Sequence, residues 1–61
     1  MNYNIKGYKF NIIKNTNRNG FFSVIHNNKN FTEGYNFLTY EDCIAEINYM
    51  VENTQTYLLV K

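Results

Sequence analysis

Few side chains in this chain could carry out chemistry. His26 is the only histidine, and Ser23, the only serine, lies three residues before it on the same predicted strand. A general base needs a nucleophile or a substrate proton within hydrogen-bond reach, and no acid lies between these residues to orient the imidazole. We therefore interpret His26 as a surface or edge-strand histidine.

Cys43 is the only cysteine and lies on the apolar face of a predicted helix, next to Asp42. A cysteine at a helix start can have a lowered pKa, but burial and a neighbouring carboxylate act the other way. Free cysteines are among the most buried residue types, so we assign Cys43 to the core. One cysteine and one histidine also exclude an internal disulfide and a Cys/His zinc site within one chain.

The carboxylates of the predicted helix do not form a catalytic pair. Glu41 and Asp42 are neighbours, so their side chains point about 100° apart. Asp42 and Glu46 are four residues apart and share a side, but without a third ligand they would not hold a metal strongly. The three glycines are isolated and make no phosphate-binding loop. We predict a protein that is not an enzyme and has no cofactor or metal.

The spacing of apolar residues predicts an α+β fold in the order β-β-β-α-β. Alternating apolar residues indicate strands over 3–14, 21–27 and 31–38, with a C-terminal strand over 56–60. A stripe at helical spacing predicts a helix over 40–52. The first three strands would form an antiparallel meander covered on one face by the helix. The last strand would pair either within its own sheet or with a neighbouring subunit.

Local signals set the predicted boundaries. Thr39 would cap the helix by accepting from the backbone N–H of Asp42, whose carboxylate would reach back. Asn53 would end the helix in a left-handed conformation. Gly7 sits where the alternation changes phase, which predicts a bulge or bend, and Asn19-Gly20 is typical of a turn.

Length and composition limit the possible functions. The chain has 61 residues, which make one domain over residues 1–61 with a marginal core. It has no apolar run long enough to span a membrane and no signal-peptide pattern, so we expect a cytoplasmic protein without a membrane role. The six tyrosines and five phenylalanines exceed what one helix on one sheet can cover. That excess predicts a second buried interface, most simply a homodimer.

Opposite charges are segregated along the chain. Residues 1–32 carry five basic side chains and no acid, whereas residues 33–53 carry five acids and no base, so a net charge of +1 hides a polar molecule. These could be two ordinary solvated faces. A basic hairpin over residues 6–29 could instead contact nucleic acid, or the charges could orient a protein partner while aromatic side chains supply the affinity.

Several side chains are candidates for partner contact. Tyr49 falls on the polar side of the helix, and tyrosine is enriched at binding hot spots. Outer-strand tyrosines and charged residues of the hairpin and helix complete the predicted set, which is Tyr49, Asp42, Glu46, Tyr8, Lys9, Arg18 and Tyr57.

Three stretches resemble a pattern found in many very small proteins of phages and mobile elements. They are residues 6–12, 20–25 and 34–44, which show a Gly-aromatic first strand, a hairpin and a Phe-x-Thr-x-Glu step into a short helix. The resemblance implies a binding protein directed at a host or at its defences, in the broad class of anti-CRISPR and other anti-defence inhibitors. Such proteins occupy a surface of a larger machine without catalysis.

We therefore expect a non-enzymatic inhibitor or accessory factor that acts by stoichiometric protein–protein interaction. Its partner would be a larger protein or complex, and the protein itself would form a homo-oligomer. The alternative is a small nucleic-acid-binding module that uses the basic hairpin. A third possibility is a small structural oligomer.

Overall fold

A four-stranded antiparallel sheet and a C-terminal helical segment make up the fold. The computed structural model describes residues 1–15, 21–32 and 37–61. The sheet has the order β1-β2-β3-β4, so neighbours in sequence are neighbours in space. The bounds are β1 Asn2–Ile5, β2 Tyr8–Asn15, β3 Phe21–His26, β4 Lys29–Asn30, α1 Tyr40–Glu52 and α2 Thr54–Tyr57.

The predicted strand over 3–14 is in fact a hairpin. β1 and β2 pair antiparallel, with Ile5 opposite Tyr8, around a turn made by Lys6 and Gly7. Both turn residues have positive φ, 52° and 85°, as a type I′ hairpin turn requires. The change of phase at Gly7 is therefore a reversal of the chain and not a bulge. Glycine is suited to this position because it adopts positive φ without steric cost.

The predicted strand over 31–38 is confirmed only in part. The amide of Phe31 donates to the carbonyl of Val24 at 2.9 Å, and Phe37 forms an isolated antiparallel bridge with Phe22, so both residues lie beside β3 as expected but belong to no regular strand. A second hairpin turn, Asn27-Asn28, has positive φ at both residues and leads into β4, whose two residues precede the predicted start. Phe31 and Thr32 lie in a turn. The Thr32 amide and hydroxyl both donate to Oδ1 of Asn30, at 2.8 and 2.9 Å, so the asparagine side chain ends the strand. Asn19-Gly20 lies outside the described residues.

The helix prediction over 40–52 is confirmed by α1, Tyr40–Glu52. Thr39 has an extended backbone, and its hydroxyl accepts from the Asp42 amide at 3.1 Å. The Asp42 carboxylate accepts from the amide of Leu38 at 3.3 Å. A capping box would instead use the amide of Thr39, which is the next residue. Asn53 ends the helix as predicted, but its φ of −131° is not left-handed.

Replacing Thr39 by alanine is expected to lower the free energy of unfolding by about 1 kcal/mol, because the Asp42 amide loses its cap. Urea denaturation followed by circular dichroism measures the change. Thr39→Ser keeps a capping hydroxyl and is the control. A Thr39→Ala protein as stable as Thr39→Ser would show that the cap contributes nothing.

The predicted strand over 56–60 is absent from the fold. Thr54–Tyr57 form the short helix α2, and Leu58 follows in a left-handed conformation with φ 55° and ψ 46°. The amide of Leu59 donates to the carbonyl of Thr54 at 3.2 Å, which closes this turn. The apolar, β-branched composition favours a strand, but the chain turns back here onto the sheet.

The core lies between α1 and one face of the sheet, where α1 packs on β2 and β3. We call this the inner face of the sheet and the opposite one the outer face. Along β2 and β3, alternate residues enter the core, as a half-covered sheet requires. None of the helices formed by the described residues is long and apolar enough to cross a membrane. The buried apolar side chains are Phe10, Ile12, Val24, Cys43, Ile47, Met50 and Val51.

Candidate functional site: an aromatic surface beside the C-terminal segment

His26 is buried, which corrects its interpretation as a surface or edge-strand residue. Its side chain is only 3% exposed, and its ring centroid lies 4.7 Å from that of Phe10. Nδ1 lies 2.7 Å from the carbonyl oxygen of Lys9, and Nε2 accepts from the Val60 amide at 3.0 Å. A carbonyl can only accept, so Nδ1 carries the proton and the imidazole is neutral in this arrangement.

These two hydrogen bonds give His26 a structural role. They connect the sheet interior to the segment that comes after α2, because Val60 lies beyond the left-handed Leu58. Ser23 lies three residues away on β3 and therefore on the opposite face of the sheet. The only serine and the only histidine of the sequence therefore lie on opposite faces of the sheet.

Cys43 is buried in the core, as predicted. Burial raises the pKa of its thiol above the usual value, and the negative charge of Asp42 raises that pKa further. The thiolate, which is the reactive form, is therefore disfavoured. Within the described residues, no three His, Cys, Asp or Glu side chains are placed to hold a metal ion together.

Aromatic rings form a continuous row between α1 and the end of β4. The ring of Tyr49 contacts that of Tyr57 edge-on, with centroids 6.2 Å apart. Tyr57 in turn lies 6.2 Å from Phe31, and the ammonium group of Lys29 lies 5.1 Å from the Phe31 centroid. We call Phe31, Tyr49, Tyr57 and Lys29 the aromatic row.

Tyr49 is the most accessible aromatic member of the row. Its side chain is 58% exposed, whereas Phe31 and Tyr57 are half-buried and pack against the core. The core therefore fixes the rings of Phe31 and Tyr57, and Tyr49 lies at the solvent-exposed end of the row. Rigid aromatic side chains lose little conformational entropy on binding, which makes such a row an efficient protein contact.

A small cleft continues the aromatic row towards the C-terminal segment. It holds about 220 Å³ and is lined by His26, Asn27, Lys29, Phe31, Tyr57 and Leu58. This volume is below the range of about 300–1,000 Å³ typical of small-molecule sites. The cleft has room for only one or two amino-acid side chains. Leu58, which is strongly exposed, forms part of its rim.

A larger cleft of about 480 Å³ lies against the outer face of the sheet. Asparagines from β1, β2 and the Asn27-Asn28 turn line most of it, together with Lys9, Phe10 and Ile25. Asparagine amides do not titrate and are not nucleophiles. This cleft therefore offers mainly polar contacts, and Lys9 is the one ionisable side chain among these lining residues.

The structure brings together two of the predicted partner-binding residues, Tyr49 and Tyr57. Tyr8 is linked to the row through His26, whose ring centroid lies 6.5 Å from that of Tyr8 and 5.9 Å from that of Phe31. The ammonium of Lys61 lies 5.3 Å from the Tyr8 ring centroid. Asp42 serves as a helix cap. Glu46 is half-buried on α1, Lys9 is exposed, and Arg18 lies outside the described residues.

Phe31, Lys29 and Leu58 were missed as site residues. The sequence predicts that Phe31 and Leu58 lie in two different strands. In those positions neither residue would be expected near Tyr49 on the helix. One signal that could have found them is the Lys-x-aromatic spacing of Lys29 and Phe31 immediately after an Asn-Asn pair. That pair predicts a turn and hence a short edge strand, so that Phe31 would lie exposed at its end.

Neither a protein-family model, nor a curated protein, nor a solved structure matches this chain.

Proposed function

We propose that this protein is a non-enzymatic binding protein that forms a stoichiometric complex with a larger protein through the aromatic row. The supporting observation is the contact chain from Tyr49 through Tyr57 to Phe31, with Lys29 over the last ring. Tyrosine and other aromatic residues are enriched where interfaces bind most strongly. The adjoining cleft gives a partner side chain a place to insert.

The distribution of basic side chains favours a protein over a nucleic acid as the partner. Lys9 and Lys14 are five residues apart on β2 and therefore lie on opposite faces of the sheet. Lys6 lies 3.6 Å from Glu52, and both side chains are exposed. A phosphate backbone needs a continuous basic stripe, and Lys9 and Lys14, on opposite faces of the sheet, cannot both belong to one.

The resemblance to small phage and mobile-element proteins narrows the proposal to an inhibitor or accessory factor of the anti-CRISPR or anti-defence type. Such an inhibitor needs a rigid contact surface and no catalytic group. The aromatic row fits that requirement, because two of its rings, Phe31 and Tyr57, pack against the core. Restored plaque formation in a host that carries an active defence system would test this narrower proposal.

Replacing Tyr49 by alanine is expected to weaken binding to the partner by about 30-fold, since hot-spot truncations cost about 2 kcal/mol or more. The partner is first captured from a lysate of the natural host on the immobilised protein and then purified. The dissociation constant is measured by calorimetry with both proteins. Thermal stability should change little, because the side chain is 58% exposed.

Tyr40→Ala is the matched control, since Tyr40 is an exposed tyrosine of the same helix whose ring contacts Phe22 instead of the row. It should bind normally. Equal affinity of the Tyr49→Ala and Tyr40→Ala proteins would overturn the assignment of the row. Tight binding of DNA or RNA that falls steeply with salt would instead favour the nucleic-acid alternative.

A further inference from the structure

The outer edge of β1 presents unused backbone groups. Among the strands of the described residues, β1 lies at the edge of the sheet and pairs only with β2. α1 covers β2 and β3 instead. An edge strand carries a row of N–H and C=O groups that can pair with another strand.

The hydrogen-bond alternation identifies the residues whose backbone groups point outwards. The Ile12 amide donates to the carbonyl of Met1 at 2.8 Å, and the Met1 nitrogen donates to the carbonyl of Ile12 at 2.7 Å. Hydrogen-bonded pairs alternate along an antiparallel ladder, so Tyr3 and Ile5 also bond to β2. The N–H and C=O groups of Asn2 and Asn4 therefore point away from the sheet.

This edge lacks the features that usually prevent strand addition. Proteins block exposed edges with lysine, proline, bulges or very short strands. Asn2–Ile5 contains no charged residue and no proline, and its pairing with β2 is regular. At the opposite edge, by contrast, β4 has only two residues, and the Asn30 side chain bonds to Thr32.

We propose that two copies of this chain pair through their β1 edges and form a continuous eight-stranded sheet. The strands run antiparallel about a two-fold axis perpendicular to the sheet, with Tyr3 opposite Tyr3 of the second copy. Asn2 then lies opposite Asn4 of the second copy, and each such pair exchanges two backbone hydrogen bonds.

Self-complementarity favours a second copy over an unrelated strand. In this register Met1, which is 52% exposed, lies opposite Ile5 of the second copy, on the inner face with Tyr3. Asn2 and Asn4 of the two copies lie side by side on the outer face. Polar residues on the outer face and apolar residues on the inner face therefore both continue across the two-fold axis. No charged side chain of β1 opposes another, because Asn2–Ile5 is uncharged.

The covering helices leave room for this arrangement. α1 lies over β2 and β3, so two copies of it would be separated by about four strand spacings, or roughly 19 Å. Packed helices need only about 8–10 Å. The aromatic row lies beside β4, at the far edge of each copy. The dimer is therefore independent of the function proposed for the row.

Replacing Asn4 by proline tests the edge directly. Proline removes the N–H that would bond to Asn2 of the second copy, and its ring blocks that edge. It removes no bond to β2, because the Asn4 amide does not point there. Sedimentation velocity between about 10 μM and 1 mM spans the range of weak association. We expect wild-type protein to double in mass across this range and Asn4→Pro to stay at the monomer mass.

Asn4→Ala is the matched control because it keeps the backbone N–H and should dimerise like the wild type. Amide hydrogen exchange of unmodified protein gives a second readout that needs no variant. The Asn2 and Asn4 amides should exchange several-fold more slowly as concentration rises, whereas amides bonded within the monomer should not change. A wild-type monomer at all concentrations, or a dimer that survives Asn4→Pro, would overturn the proposal.

Discussion

Replacing Ile12 by alanine is expected to lower the free energy of unfolding by about 3–4 kcal/mol. Ile12 is 0% exposed and lies on β2, which pairs with both β1 and β3. The loss combines the transfer of buried methyl groups with the cavity that remains. A domain of this size has a total stability of about 3–9 kcal/mol, so the change removes a large part of it. Urea denaturation followed by circular dichroism measures the effect.

Ile13→Ala is the matched control for this prediction. It removes the same atoms from the next residue of β2, but Ile13 lies on the outer face and is 42% exposed. The loss there should be below about 1 kcal/mol. Equal losses at the two positions would contradict the assignment of the inner and outer faces of the sheet.

Replacing His26 by alanine is expected to cost about 3 kcal/mol of unfolding free energy. The buried ring packs on Phe10, and its removal leaves a cavity and takes away the hydrogen bonds to Lys9 and Val60. The hydrogen exchange of the Val60 amide should accelerate together with the loss of stability. Urea denaturation and exchange measured by NMR report the two effects separately.

His26→Phe separates packing from hydrogen bonding. It keeps an aromatic ring against Phe10 but loses both bonds, so its stability should lie between those of the wild type and His26→Ala. Val60 amide exchange should accelerate in both variants. Unchanged exchange at Val60 in either one would show that His26 does not hold the C-terminal segment.

The helix could be predicted from sequence because its signals are local. The side-chain cap at Thr39, the apolar stripe and the end at Asn53 all lie within or beside α1. The hairpins are harder to place. Lys6-Gly7 and Asn27-Asn28 both have positive φ, but only the first contains the glycine that marks such a turn. Apolar alternation resumes directly after that glycine, so the pattern indicates a bulge or bend within one strand and does not reveal the chain reversal.

The C-terminal segment could not be predicted, since its conformation depends on a distant residue. Thr56 to Val60 has strand-like composition, but α2 and the left-handed Leu58 direct the Val60 amide onto His26. His26, which accepts this bond, is 3% exposed, although the sequence contains no nearby acid or nucleophile to partner it and so suggests a surface or edge-strand position. Neither the position of Val60 nor that of His26 could therefore be predicted without knowledge of the contact between them.

The candidate site could be predicted only in part. Tyr49 stands out by its place on the polar side of the helix, and Tyr57 is a candidate as a residue of a predicted outer strand. Their contact arises because α2 turns Tyr57 back towards α1, and Phe31 joins them from the sheet edge. The contact joins α1, α2 and the end of β4, which are separate in sequence, so no periodic pattern in the sequence predicts it.

The bond between His26 and Val60 also has a consequence for the order of folding. It joins residues 34 positions apart, whereas β1 with β2, and β3 with β4, are joined by two-residue turns. Hairpins form in about 1–10 μs, and closing a longer loop costs more chain entropy. The sheet should therefore assemble first and the C-terminal segment last. The aromatic row would then be completed in the final step, when Tyr57 arrives beside Phe31.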